Sequence, residues 1–195
     1  ATFSPARIEV WFLYEAAPLS QVFARRFRVI ARLHQSRIVH ICGAPGTGKS
    51  TIAAALATRL SLPFFGIDAE RIKILKPGQS RPTDDVRSWT NLEDRIDAAG
   101  RCIVETSGLH GNDVMLLGGR RVLRVVCVAD RAVREQRLTA RVTRGYPLVG
   151  DQPDYVARLL RLPSPRLPAQ LVVDTSRPGS LESIVTQIEK IARRF

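Results

Sequence analysis

Cysteine is scarce in this chain: 195 residues hold three, Cys42, Cys102 and Cys127. No CxxC pair exists among them, and each sits in an apolar run suited to a central strand, so buried free thiols in a reducing cytoplasm are expected. Long hydrophobic runs are missing too. Without about 18 consecutive apolar residues there is no candidate membrane span, and no secretory signal is seen. The arginine-rich, amphipathic stretch Leu19 to Leu33 has some features of a transit peptide, but Glu9 and Glu15 weigh against that reading and favour packing on the domain. No internal repeat is found. Acidic residues are the minority, 18 against 30 Lys and Arg, which leaves a net charge of +12. That balance favours anionic partners such as nucleotides, phosphorylated metabolites or nucleic acid. The arginines are scattered along the whole chain rather than gathered in one tail, so charge leaves nucleic acid open without requiring it.

Hydrophobic residues make up 45% and charged residues 25% of the chain, ordinary for a globular protein and against wholesale disorder. This length fits one domain whose core buries on the order of 70% of the unfolded surface. The chain is organised around Arg37 to Leu60, RIVHICGAPGTGKSTIAAALATRL, a short apolar run, a glycine-rich loop and an alanine- and leucine-rich segment without breakers. Gly43, Ala44, Pro45, Gly46, Thr47, Gly48, Lys49, Ser50 and Thr51 carry the pattern GxxxxGK[ST], a phosphate-binding loop. Backbone amides must converge on phosphate oxygens there, and side chains at the glycine positions would block them. Lys49 brings a charge for the β/γ-phosphates, Ser50 a hydroxyl for Mg²⁺, and the helix beginning near Lys49 points its positive end at the same anion.

Before the loop, residues 1–36 form an accessory segment in which Val22, Phe23, Phe27, Ile30, Ala31 and Leu33 recur at helical spacing between arginines, which suits a helix packed on the domain or, alternatively, a nucleic-acid or partner-binding arm. After it, Leu62 to Ile67 reads as a second strand that delivers Asp68 to the sheet edge where ligands bind in open α/β folds. The basic, proline-containing stretch Lys73 to Arg87 reads as an irregular segment on the substrate side. Thr90 and Glu93 have capping-box spacing, opening a helix that stops at Gly100. Arg101 to Val104 is a third strand leading to Glu105, an acidic residue that can hold Mg²⁺ through water or pair with a neighbouring base at the strand end. Val122 to Val128 is a fourth, and beyond it Arg134, Arg137, Arg141 and Arg144 fall on one helical face that needs an anion to offset their repulsion. Tyr155 to Leu162 is a short helix, Leu171 to Val173 a fifth strand, and Leu181, Ile184, Val185, Ile188 and Ile191 the apolar face of a last helix. The fold class expected is α/β, a P-loop NTPase three-layer sandwich with a five-stranded parallel sheet and a short arginine-rich lid over residues 37–195.

With these residues in view, residues 37–195 resemble the P-loop kinases of the nucleoside- and polynucleotide-kinase type, the zeta-toxin-like and chloramphenicol-phosphotransferase-like branches included. Asp68-Ala69-Glu70-Arg71 is similar to the Asp-x-x-Arg of polynucleotide-kinase-like proteins, whose aspartate is the general base. The arginine helix ending in Arg144-Gly145 resembles the lid of these kinases, and Val173-Asp174-Thr175-Ser176 the segment that flanks the adenine. No apolar strand ends in the Asp-Glu pair of motor or remodelling ATPases.

The resemblance implies transfer of the γ-phosphoryl of ATP, with Mg²⁺ held by Ser50 and Glu105. Lys49, Arg137, Arg141 and Arg144 would meet the developing charge. Asp68 would accept the acceptor's proton, with Arg71 and Glu105 beside the substrate, and Asp174 and Thr175 would flank the base. A carboxylate base suits a hydroxyl acceptor better than a phosphate one, which is already nucleophilic. Three readings stay open: a kinase for a small molecule such as a nucleoside, sugar or antibiotic, a 5′-hydroxyl polynucleotide kinase, and a nucleotide-binding regulator or ATPase with no acceptor. No obligate protein partner is evident, and ATP is preferred over GTP because no Asn-Lys-x-Asp motif is present.

Overall fold

A strand that is apolar on both faces has to be covered on both, and here each apolar run is followed by a helix long enough to return over the sheet. The computed structural model describes residues 36–195 except 80, 81, 83, 84, 110, 150–153, 166 and 178, with the backbone alone at 114–116. The accessory segment, Ser36 apart, lies outside the described residues. Strands β1 (Arg37–Gly43), β2 (Phe64–Gly66), β3 (Arg101–Thr106), β4 (Arg121–Val128) and β5 (Leu171–Asp174) form one parallel sheet in the order β2-β3-β1-β4-β5. Between and after them run α1 (Lys49–Leu60), α2 (Ile67–Ile74), α3 (Asp85–Ala99), α4 (Gly111–Leu117), α5 (Arg131–Thr143), α6 (Tyr155–Leu160) and α7 (Ser180–Ala192). This is the expected five-stranded P-loop sandwich.

The period of two along each strand assigns the layers. Val39, Ile41, Ile103, Val125 and Val173 face Ile52 and Leu56 of α1 and Ile184 and Ile188 of α7. Ile38, Cys102 and Val104 face Trp89, Leu92 and Ile96 of α3. A smaller cluster of Leu138, Val149, Tyr155 and Leu160 joins α5 to α6. All three cysteines are buried and free, and burial pushes each thiol up to about 12, so they serve as small core residues. Among the described residues no helix is long and apolar enough to cross a membrane.

Two local expectations change. The second strand stops at Gly66, and Asp68 sits in the first turn of α2, where a helix N-terminus favours Asp68 and Glu70. Helix α3 starts at Asp85, ahead of Thr90, because its buried face reaches back to Ser88 and Trp89; the Thr90 hydroxyl donates to the Val86 carbonyl at 3.2 Å, as a mid-helix threonine does.

One polar side chain lies in the middle of the central strand. His40 is fully buried between Ile38 and Cys42. Arg124 Nε donates to its Nδ1 at 3.3 Å, so the proton sits on Nε2, which donates to Thr106 Oγ1 at 2.8 Å. Burial first, then the Arg124 charge, lowers the imidazole to about 3. The folded state therefore keeps His40 neutral over a range in which the unfolded chain takes up a proton. Its contribution is complete above the unfolded value and is lost as pH falls from about 6.5 toward 3. Between pH 7 and pH 5 we expect this group to remove about 2 kcal/mol of stability. Denaturant unfolding at the two pH values checks this: His40→Gln should flatten the dependence, and an unchanged slope would assign it to other groups.

Candidate active site

The phosphate loop leaves β1 at the carboxyl edge of the sheet and runs into α1. Gly46 and Gly48 have φ of 84° and 78°, the left-handed region. A Cβ on Gly46 would lie 2.9 Å from the Arg134 carbonyl oxygen, so the loop passes directly against α5 at that point. Gly48 caps α1 without a side-chain hydrogen bond.

Loop carbonyls receive donors from behind. Ala44 O accepts the Thr47 hydroxyl at 2.8 Å. Pro45 O accepts Arg134 Nε at 3.0 Å, and Gly46 O accepts Arg137 Nη1 at 3.2 Å. Thr47 O accepts the Thr175 hydroxyl at 2.8 Å. With its carbonyl oxygens bonded on the protein side, the loop is held in one shape. Arg134 also donates to Leu159 O at 3.0 Å, and Arg137 grips Thr175 through its hydroxyl at 2.8 Å and its carbonyl at 2.7 Å.

The expected lid arginines therefore divide. Arg134 and Arg137 donate to backbone oxygens, so part of the basic face is held by carbonyl dipoles. Arg137, Arg141 and Arg144 line a groove of about 460 Å³ with Gly48, Thr51 and Arg177. Thr175, expected beside the base, turns its hydroxyl into the loop scaffold. Asp174 is exposed, and its Oδ1 accepts the Ser176 amide at 2.9 Å, a bond that holds its carboxyl below the usual range.

After the loop, Lys49 Nζ lies 3.3 Å from Glu105 Oε1, with both side chains 8% exposed. Register explains the meeting: Ile41 of β1 and Gly66 of β2 both stand opposite Glu105 of β3. Ser50 is half-buried on the next position of α1. A hydroxyl and a carboxylate are the oxygen donors magnesium takes, usually with several waters kept, so Ser50 and Glu105 fit that ion.

Asp68 lies on the β2 side of the same edge. Its Oδ1 accepts Arg71 Nη1 at 3.2 Å and its Oδ2 accepts the Tyr146 hydroxyl at 3.3 Å. Both bonds are long, and the side chain is 36% exposed, so the carboxylate is reachable and loosely held. Burial, then the Asp68 charge, pushes the Tyr146 phenol well above its ordinary value, which keeps it a donor at neutral pH. Arg71 stands next to Asp68 as expected, but its fork goes to Asp85: Nε to Oδ1 at 2.7 Å and Nη2 to Oδ2 at 2.8 Å. Trp89 Nε1 adds a bond to the same carboxylate at 3.1 Å. Glu70 turns away, buried against Lys73 and Arg95.

Asp85 and Tyr146 are the site residues that sequence reasoning missed. Asp85 lay within a stretch that reads as a loop, and Tyr146 within Gly-Tyr-Pro, which reads only as a helix stop. Arg134 was visible by its spacing, although its carbonyl partners were not. The arrangement provides amides and cations for a polyphosphate, oxygen donors for a divalent cation, and a reachable carboxylate beyond them.

The model of the ATPase family associated with various cellular activities (AAA) matches residues 39–98, under a third of the chain. No curated protein matches the sequence. Among solved structures, a gluconokinase from Sinorhizobium meliloti 1021 is 22% identical with a TM-score of 0.57, over 84% of this chain and 94% of that one. An APS kinase from Mycobacterium tuberculosis, solved with AMPPNP and APS, is 17% identical with a TM-score of 0.54, over 82% and 98%. A shikimate kinase from Acinetobacter baumannii, solved with shikimate, is 15% identical with a TM-score of 0.51, over 84% and 96%. At these identities the likeness is one of fold, the α/β P-loop NTPase fold that these kinases share.

Proposed function

We propose that this protein is an ATP-dependent phosphotransferase that moves the γ-phosphoryl group to a hydroxyl of a small molecule. The observation that carries the reading is the pairing of a phosphate loop with a second, loosely held carboxylate on the same sheet edge. A nucleotide switch needs the loop alone; Asp68 gives the site a place for an acceptor proton to go.

In this reading the loop amides and Lys49 bind the β/γ-phosphates. Lys49 would share its contact with Glu105 with phosphate oxygens, and Ser50 and Glu105 would hold a magnesium ion that supplies charge neutralisation at the phosphates. Arg141 and Arg144 face the groove from the lid and offset negative charge as the phosphoryl group moves. Arg137 acts through the loop as a positioning residue. Asp68 orients the acceptor hydroxyl and takes its proton, and Tyr146 holds Asp68 toward the lid. The gluconokinase and shikimate kinase likenesses support a small acceptor.

Two sets of variants test this. Asp68→Asn should lower transfer from γ-labelled ATP by about 10²- to 10⁴-fold with nucleotide affinity, measured by calorimetry, unchanged, whereas Lys49→Ala should lower transfer by at least about 10²-fold. Transfer that survives Asp68→Asn removes the assigned base. Arg137→Lys keeps the charge and loses the fork, so ATP binding should weaken by about tenfold; equal affinity would show that the loop keeps its shape without the clamp.

A further inference from the structure

We propose that Tyr146 shields the candidate base: until an acceptor binds, its hydroxyl occupies the Asp68 carboxylate and keeps water from being activated there, and an acceptor hydroxyl displaces it. The inference rests on the phosphotransferase reading and says how that site discriminates against water as an acceptor.

Water carries the same O–H group as an alcohol, so a reachable carboxylate base can activate either one. Asp68 is reachable, with a side chain 36% exposed. Each of its oxygens takes a donor from the protein, Arg71 Nη1 on Oδ1 at 3.2 Å and the Tyr146 hydroxyl on Oδ2 at 3.3 Å. The phenol is the donor that resembles an acceptor, since it offers one O–H to a carboxylate as an alcohol does. Burial first, then the Asp68 charge, pushes it above its ordinary value, so it remains a donor at neutral pH. At 3.3 Å the bond is long, and a well-placed substrate hydroxyl can take it over.

The phenol has one advantage over a passing water: it is already held in place. Its ring packs on the cluster of Leu138, Val149, Tyr155 and Leu160, and Arg141 lies over the ring with Cζ 5.1 Å from its centre. The backbone is tied on both sides, the Tyr146 amide donating to the Arg141 carbonyl at 3.1 Å and the Tyr146 carbonyl accepting the Val149 amide at 2.9 Å. A tethered hydroxyl loses little freedom on bonding to Asp68, whereas a water has to be ordered there. An acceptor fixed by its other contacts shares that advantage. In hydrolysis the water oxygen would bond to the γ-phosphorus as the bond to the ADP oxygen breaks, and the water's proton would pass to Asp68. With the phenol on Oδ2, that position is already filled.

The test measures ATP hydrolysis with Mg²⁺ and no acceptor. Tyr146→Phe keeps the ring and loses the donor, and hydrolysis should rise about fivefold, the factor that one ordinary net hydrogen bond is worth. Lost packing lowers activity, so a rise separates shielding from a merely structural role. The rise should vanish when Asp68→Asn is added to Tyr146→Phe. An unchanged or lower rate in Tyr146→Phe, or a rise that survives without Asp68, overturns the proposal. Label transfer from γ-labelled ATP to glucose, gluconate, adenosine and kanamycin supplies an acceptor, and its KM should fall by a similar factor in Tyr146→Phe because nothing has to be displaced. An unchanged KM means that acceptor and phenol do not compete, and overturns it. In the wild-type protein loaded with AMPPNP and Mg²⁺, the carbon NMR signal of Tyr146 Cζ, one of three tyrosines and assigned by elimination with Tyr14→Phe and Tyr155→Phe, should move as that acceptor is added. A signal that holds its place at saturation overturns the proposal whether or not Tyr146→Phe folds. If no acceptor is labelled and only phosphate is released, the phosphotransferase reading fails, while the hydrolysis rates of Tyr146→Phe and the double variant still decide whether the phenol shields Asp68.

Discussion

A phosphate loop has to present its amides outward, and that is possible only when its carbonyl oxygens are satisfied from behind. Here the Ala44 carbonyl is met from within the loop, and those of Pro45, Gly46 and Thr47 by Arg134, Arg137 and Thr175. A charge-assisted bond to a carbonyl is roughly twice as strong as a neutral one, and two of these four donors are guanidinium groups. The clamp binds together three parts distant in sequence: the turn after β1, helix α5 and the end of β5. Arg137 alone reaches Gly46 O and both oxygens of Thr175. The lid helix is therefore part of the wall that shapes the loop, and Arg137, Arg141 and Arg144 all line the groove.

The same economy of charge governs the acceptor side. Six basic or acidic side chains of the candidate site, Lys49, Asp68, Arg71, Asp85, Glu105 and Arg141, each have a partner of the opposite sign or an aromatic face. Their pairing decides which are available. Lys49 and Glu105 form a single close contact at 3.3 Å that a polyphosphate and a cation can divide between them. Arg71 and Asp85 form a fork braced by Trp89. Asp68 is held by two long bonds and is the group a ligand displaces most readily.

Much of this was legible in the chain and some was not, for reasons that differ by residue. The five strands announce themselves because strands buried on both faces are continuous apolar runs, and the loop because few residue types tolerate its backbone. Register is not written in the runs, so nothing in the sequence placed Glu105 opposite both Ile41 and Gly66. Asp68 was recognisable as an edge carboxylate, but a helix begins one residue earlier than the apolar run suggests, since Ile67 closes the core and opens α2 together. The four arginines spaced by three and four gave a correct helix face and an incomplete account of what answers it, because backbone carbonyls carry no sequence signal. Asp85 was hidden for the opposite reason. Its stretch is basic and contains proline, and the acidic residue that matters is the first of a helix whose buried face begins only at Ser88.

Tyr146 ties these two halves together. It follows the helix that clamps the phosphate loop, its ring is faced by Arg141, and its hydroxyl reaches Asp68 on α2. Any shift of α5 that accompanies binding in the groove is thus felt at the candidate base through one phenol. Burial and the nearby carboxylate keep that phenol protonated, so it donates a bond to Asp68 and never competes for a proton. An acceptor hydroxyl entering the subsite can do the same, which makes the phenol a stand-in for one bond of the substrate. In the proposed reading, the Tyr146 hydroxyl and an acceptor hydroxyl would be alternative donors to the Asp68 carboxylate.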